Sequence, residues 1–146
     1  MSDIIISQSE ADELFAMEKV RIDERTHSFP QISGKLIIPL RSRDGREKFL
    51  LDVHIGHIEL KKAHLQNRAR NVIILARLDT MGKHTNPDGN SLTGSHLHLY
   101  REGYGDRWAY PVPAQFTNLA NLLLTVDEFM KYCNIVEAPI IQGSCV

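Results

Sequence analysis

Hydrophobic and polar positions change rhythm twice along this chain. In "QSEADELFAMEKVR", Ala11, Leu14, Phe15 and Met17 fall near one helical stripe. Ser7 or Ser9 suits the N-cap, and acids crowd the first turn. The pattern predicts a helix over 8–21. "HSFPQISG" breaks it with Pro30 and Gly34. The period then shortens to that of strands. "KLIIPL" and "KFLLDVHI" flank Asp44-Gly45, a hairpin signal, with Pro39 demoting the first of them towards an edge or bulge. "KKAHLQNRA" and "NVIILARLD" form a second hairpin with turn chemistry at Arg70-Asn71. "SHLHLYRE", the turn "GYGD" and "RWAYPV" follow. Between them, 82–94 is expected to be a structureless polar connection with a type I turn at Asn86-Pro87-Asp88-Gly89. It is expected to fold back over the histidine strand and bring His84 to His96 or His98.

After Pro113 the period returns to helical, with Thr125 to Glu128 as a capping box opening "VDEFMKYCNI". The expected class is α+β: a single domain, 1–146. A twisted antiparallel sheet of about six strands fills 35–112, an N-terminal helix precedes it and a helical C-terminal part over 114–135 follows. Residues 139–146 are expected to be a loose tail.

The chain of 146 residues has a net charge of −1, which argues against a non-specific nucleic-acid binder. The charge is unevenly spread. Residues 1–34 carry −4, 35–77 carry +6 and 78–146 carry −3. A basic middle of this kind suits an anionic ligand. Cys133 and Cys145 form no metal-type pair and read as reduced thiols, Cys133 in the core, which points to the cytoplasm. No apolar run is long enough to span a bilayer, so no membrane partner is expected.

Alternation along "SHLHLYRE" sends Leu97 and Leu99 one way and His96, His98, Tyr100 and Glu102 the other. His64, Gln66 and Arg68 alternate on one strand, and Arg77 and Asp79 on the next. If these faces coincide, they hold the parts of metal-independent RNA cleavage. A base takes the 2′-hydroxyl proton, an acid protonates the leaving oxygen and cations steady the phosphate. His96, His98 and His84 are the acid/base candidates and Tyr100 an assistant. Arg77 and Arg68 are assigned to phosphate, with Arg70, Tyr104 and Arg107 as further substrate contacts. The His96-x-His98 pair, completed by His84 or Asp88, offers a second chemistry, metal binding. Without a cysteine pair or a second such motif, the expectation is no metal and no cofactor. His54 and His57 are read as structural, Trp108 and Tyr110 as packing, and Gly103 and Gly105 as turn glycines.

The ordered set "LARLD", "HTNPDG", "SHLHLYREGYGDRWAYP" and "DEFMKYCNI" resembles an uncharacterised family of small bacterial and prophage-associated proteins, over roughly 70–135. That resemblance implies a stand-alone cytoplasmic protein encoded on a mobile element, and it supplies no catalytic residues to carry over. A looser, fold-level likeness is to the RelE-like ribonuclease toxins, which implies RNA as substrate. Those toxins are strongly basic and this chain is not. From the His/Tyr/Arg cluster on the sheet face, the expected function is a small metal-independent ribonuclease of toxin type. The alternative is a non-enzymatic interaction protein, antitoxin-like or anti-defence, that binds a cognate protein through the same face. A homo-oligomer is compatible with either.

Overall fold

A computed structural model describes residues 5–56 and 62–143; His57, Cys145 and the last three residues of the expected tail lie outside the described residues. The chain runs α1 (Gln8–Ala16), β1 (Lys19–Arg21), β2 (Thr26–Ser28), β3 (Lys35–Ser42), β4 (Lys48–Ile55), β5 (Ala63–Ala69) and β6 (Ile73–Asp79). It continues through β7 (Lys83–Thr85), β8 (Ser91–Thr93), β9 (His96–Leu99), β10 (Ala109–Tyr110), α2 (Leu122–Tyr132), β11 (Ile135–Glu137) and β12 (Ile140–Gln142).

Turn chemistry builds the centre. β3 and β4 join at Asp44-Gly45, where Gly45 has φ 76°. Arg70 and Asn71 both have positive φ, 51° and 68°, and form the central pair of the tight turn between β5 and β6, closed by the Val72 amide on the Ala69 carbonyl at 3.3 Å. The main sheet has eight strands in the order β10-β9-β6-β5-β4-β3-β1-β11. It is antiparallel except at one edge, where β11 lies parallel to β1. Two small sheets accompany it, β12 parallel to β2 and β7 antiparallel to β8.

Alternation gives the main sheet two unlike faces. Leu36, Val53, Leu65, Leu78 and Leu97 stand in one cross-strand row, and Ile38, Leu51, Asn67 and Ala76 in the next such row. They meet Ala11 and Leu14 of α1 and Val126, Phe129 and Met130 of α2 in the core. The opposite face carries Lys35, His54, His64, Asp79 and His96 in one row and Ile37, Asp52, Gln66, Arg77 and His98 in another.

Several expectations are corrected. The main sheet has eight strands where about six were expected. α1 stops at Ala16 and not at 21, because Met17 turns extended (φ −60°, ψ 139°) and Lys19–Arg21 pair with β3. Asn121, not Thr125, caps α2: its side chain accepts from the Leu124 amide. The Thr125 hydroxyl is buried and bonds back to the carbonyls of Asn118 and Asn121. Helix therefore occupies only 122–132 of the expected 114–135, and β11 follows it. Residues 140–142 of the supposed tail are a strand against β2. The supposedly structureless 82–94 is the β7–β8 hairpin, closed at Asn86–Gly89, where the Gly89 amide reaches the Asn86 carbonyl at 2.8 Å.

Candidate functional site

The site forms at the β10 end of the polar face. Register sets Asp79 opposite His96 and Arg77 opposite His98. Since β6 and β9 are direct neighbours, a two-residue alternation on each puts all four side chains on one face. The β7–β8 hairpin then lies against this corner. Asn86 fastens it, donating to the Ala109 carbonyl at 2.9 Å and accepting from the Ala109 amide at 2.8 Å. Its side-chain amide thus serves β10 as a neighbouring strand would. His84 comes with the hairpin: its ring centroid lies 4.5 Å from that of His98 and 5.8 Å from that of His96.

Asp79 is the hub. Its Oδ2 lies 3.2 Å from His96 Nε2 and 3.4 Å from His98 Nε2. Arg77 grips the carboxylate with two donors, Nε to Oδ1 at 3.0 Å and Nη2 to Oδ2 at 3.1 Å. Arg77 Nη1 also reaches Asp106 at 3.2 Å, and Nη2 lies 3.2 Å from His98 Nε2. His64 approaches from β5, with Nδ1 at 3.7 Å. Burial opposes the charge on Asp79, but the Arg77 guanidinium, joined by His98 whenever its Nε2 carries a proton, outweighs it and holds the carboxyl well below the usual carboxylate range. Each histidine is also held from behind. His96 Nδ1 faces the Gly94 carbonyl at 3.0 Å, His98 Nδ1 the Asp106 carbonyl at 2.7 Å and His84 Nε2 the Arg107 carbonyl at 2.8 Å.

The cluster is closed rather than concave. His96 and His98 are 2% and 1% exposed, while His84 is intermediate. A cleft of about 390 Å³ next to it is lined by Ile5, Val72, Tyr100, Tyr104, Asp106 and Arg107 among others, without a histidine.

The remaining candidates are dispersed. β9 ends before Tyr100, whose hydroxyl donates to the Ile6 carbonyl and accepts from the Ile6 amide, so it serves the start of α1 and not the histidines. Leu97 is buried in the core and Leu99 partly so. Arg68 forks onto Asp52 at 2.7 and 2.8 Å. Arg70 is held by Glu10 and Glu47 on the helix-covered side. Arg107 donates to the carbonyls of Tyr104 and Gly103, and Tyr104 stands edge-on to Trp108. Asp88 bonds Asn90 at the hairpin tip. Asp79 and Asp106 were missed as site residues. The "ARLD" alternation marked Asp79 as facing with Arg77, but only register could pair it with His96.

Among the described residues no helix is long and apolar enough to cross a membrane. No curated protein and no solved structure matches the chain. A family model does match, over residues 6–135, and spans every element that builds the histidine corner. The chain therefore belongs to a family of unknown function, DUF6978.

Proposed function

We propose that this protein works by binding a protein partner on the open face of its main sheet. The state of the arginines carries this reading. Arg68, Arg70, Arg77 and Arg107 all have donors engaged by carboxylates or carbonyls of their own chain. A phosphate would have to strip a guanidinium from such a partner and leave a carboxylate unpaired, which costs about 3–5 kcal/mol where the pair is buried. The open face offers other chemistry. Ile37, Pro39 and Leu50 sit at its centre, with Lys35, His54 and Gln66 around them, and Ile37 is 46% exposed. An apolar centre in a polar surround is the usual make-up of a protein interface.

Ribonuclease action is the second reading. It is favoured by three imidazoles whose ring centroids lie 4.5–5.8 Å apart, one of them only half buried. One experiment separates the two. RNA is incubated in chelator with wild type and with His96→Ala/His98→Ala, and the binding of a co-purified partner is measured for wild type, Ile37→Glu and Leu124→Glu. Leu124 is an exposed residue of α2. Binding lost in Ile37→Glu and kept in Leu124→Glu, with RNA intact throughout, supports the interaction protein. RNA cleaved by wild type and spared by the double variant supports the ribonuclease.

A further inference from the structure

We infer that Asp79, His96 and His98 bind one divalent transition-metal ion of the zinc class. The sequence offered the His96-x-His98 pair with His84 or Asp88 to complete it, and Asp88 instead bonds Asn90 at the hairpin tip. The fold adds a third ligand, Asp79, from the neighbouring strand in register with His96. One ligand atom from each residue lies within 4.8 Å of the other two.

Proton positions explain why an ion belongs there. A backbone carbonyl only accepts, so His96 Nδ1 and His98 Nδ1 each carry a hydrogen for Gly94 and Asp106. A neutral ring then presents a lone pair at Nε2. Both Nε2 atoms lie within 3.2–3.4 Å of Asp79 Oδ2, itself an acceptor. Three electron-rich atoms at this spacing need positive charge between them. Arg77 Nη2 supplies some, to Asp79 and His98. His96 Nε2 against Asp79 still requires a second ring proton or an ion. With bonds of about 2.0–2.1 Å, donors around a tetrahedral zinc stand roughly 3.3 Å apart. The two carboxylate–imidazole separations are 3.2 and 3.4 Å. Carbonyls behind the imidazoles are the outer shell that fixes ring orientation in metal sites.

Two nitrogens and one oxygen suit zinc, cobalt or nickel, whereas magnesium and calcium prefer all-oxygen sets. Three protein ligands leave a fourth position for water. Arg77 is the competitor. An ion on Oδ2 leaves Oδ1 with Arg77 Nε and turns Nη2 towards Asp106, which Nη1 already touches. The proposal departs from the metal-free expectation of the sequence, and it stands independently of partner binding.

The test is titration of chelator-stripped protein with cobalt(II), followed by visible absorption, and with zinc(II) by calorimetry. Circular dichroism confirms the fold of each variant. Wild type should take up one ion per chain with the intense bands of tetrahedral cobalt, and zinc should displace it. Folded Asp79→Asn and His96→Gln should bind more than about 100-fold more weakly, beyond the loss caused by an outer-shell change. Arg77→Gln should bind about tenfold more tightly, since a cation has left the site. If the ligand variants fail to fold, wild type and Arg77→Gln decide the question. Folded wild type and Arg77→Gln that take up no zinc at about 1 mM would overturn the proposal. So would undiminished binding in folded His96→Gln, which would place the ion elsewhere.

Discussion

Lys19 and Asp79 are both buried charges, and they are satisfied in opposite ways. Lys19, near one edge of the sheet, is fully buried. Its ammonium donates to the carbonyls of Phe15 at 2.8 Å, Met17 at 3.0 Å and Cys133 at 2.7 Å. It thereby ties the end of α1 to the end of α2, and burial pushes its pKa down to about 8. Backbone carbonyls at helix ends have no alternative use, so this contact is a clamp. Asp79, near the other edge, is held by the side chain of Arg77 and faced by His96 and His98. Arg77 has a second carboxylate within reach and the histidines have their own carbonyls. Such partners can exchange. The same burial therefore produces a fixed joint at one edge and a site that can accept a ligand at the other.

The largest expected effect lies at the clamp. Lys19→Ala leaves a cavity and three carbonyls without their donor, and should lower unfolding free energy by about 3–5 kcal/mol in urea melts. Asp79→Asn keeps the shape and leaves Arg77 to Asp106, so its cost should be nearer 2 kcal/mol without metal. Equal costs would erase the contrast between clamp and site.

Alkaline pH probes the clamp further. Lys19 has its folded pKa below its unfolded value of 10.5, so above about 8 the unfolded chain binds more protons and stability rises with pH. Burial pushes the Cys133 thiol up from 9.0, so above that pH the unfolded chain loses a proton the folded chain keeps, and stability falls. Wild type should gain about 1 kcal/mol between pH 8 and 9 and then level off. Cys133→Ala should continue to gain towards pH 10. Urea midpoints across this range read both. A wild type whose stability falls steadily from pH 8 would mean that the clamp needs its charge.

The smallest effect belongs to Asn86, which only fastens the hairpin. Asn86→Ala should cost about 1 kcal/mol for its lost hydrogen bonds. It should raise amide exchange in 83–93 while leaving β4 and β5 protected.

Much of this fold is legible in the sequence wherever local chemistry decides. Asp44-Gly45 and Arg70-Asn71 place the hairpins, and Ser7 caps α1 by accepting from the Glu10 amide. The clamp edge is not legible. A lysine in the core contradicts hydrophobic patterning, so "EKVR" reads as more helix. The strands β1, β11, β2 and β12 are three residues each, and their parallel pairings join segments over a hundred residues apart. Thr125 misleads because its hydroxyl bonds backwards into the preceding turn. In the site, alternation orders His96 and His98. Tyr100 fails the same rule because the strand ends one residue earlier. Asp79 enters only through strand register, which a sequence of alternating residues does not specify.

The most direct measurement of the ligand-accepting site is an anomalous difference map at the zinc edge, from crystals grown with zinc. A peak bonded to Asp79 Oδ2, His96 Nε2 and His98 Nε2 at about 2.0–2.2 Å is expected, with Arg77 turned to Asp106. A map with no peak there and Arg77 still lodged between Asp79 and His98 would contradict it, as would a peak confined to the exposed His54 and His64.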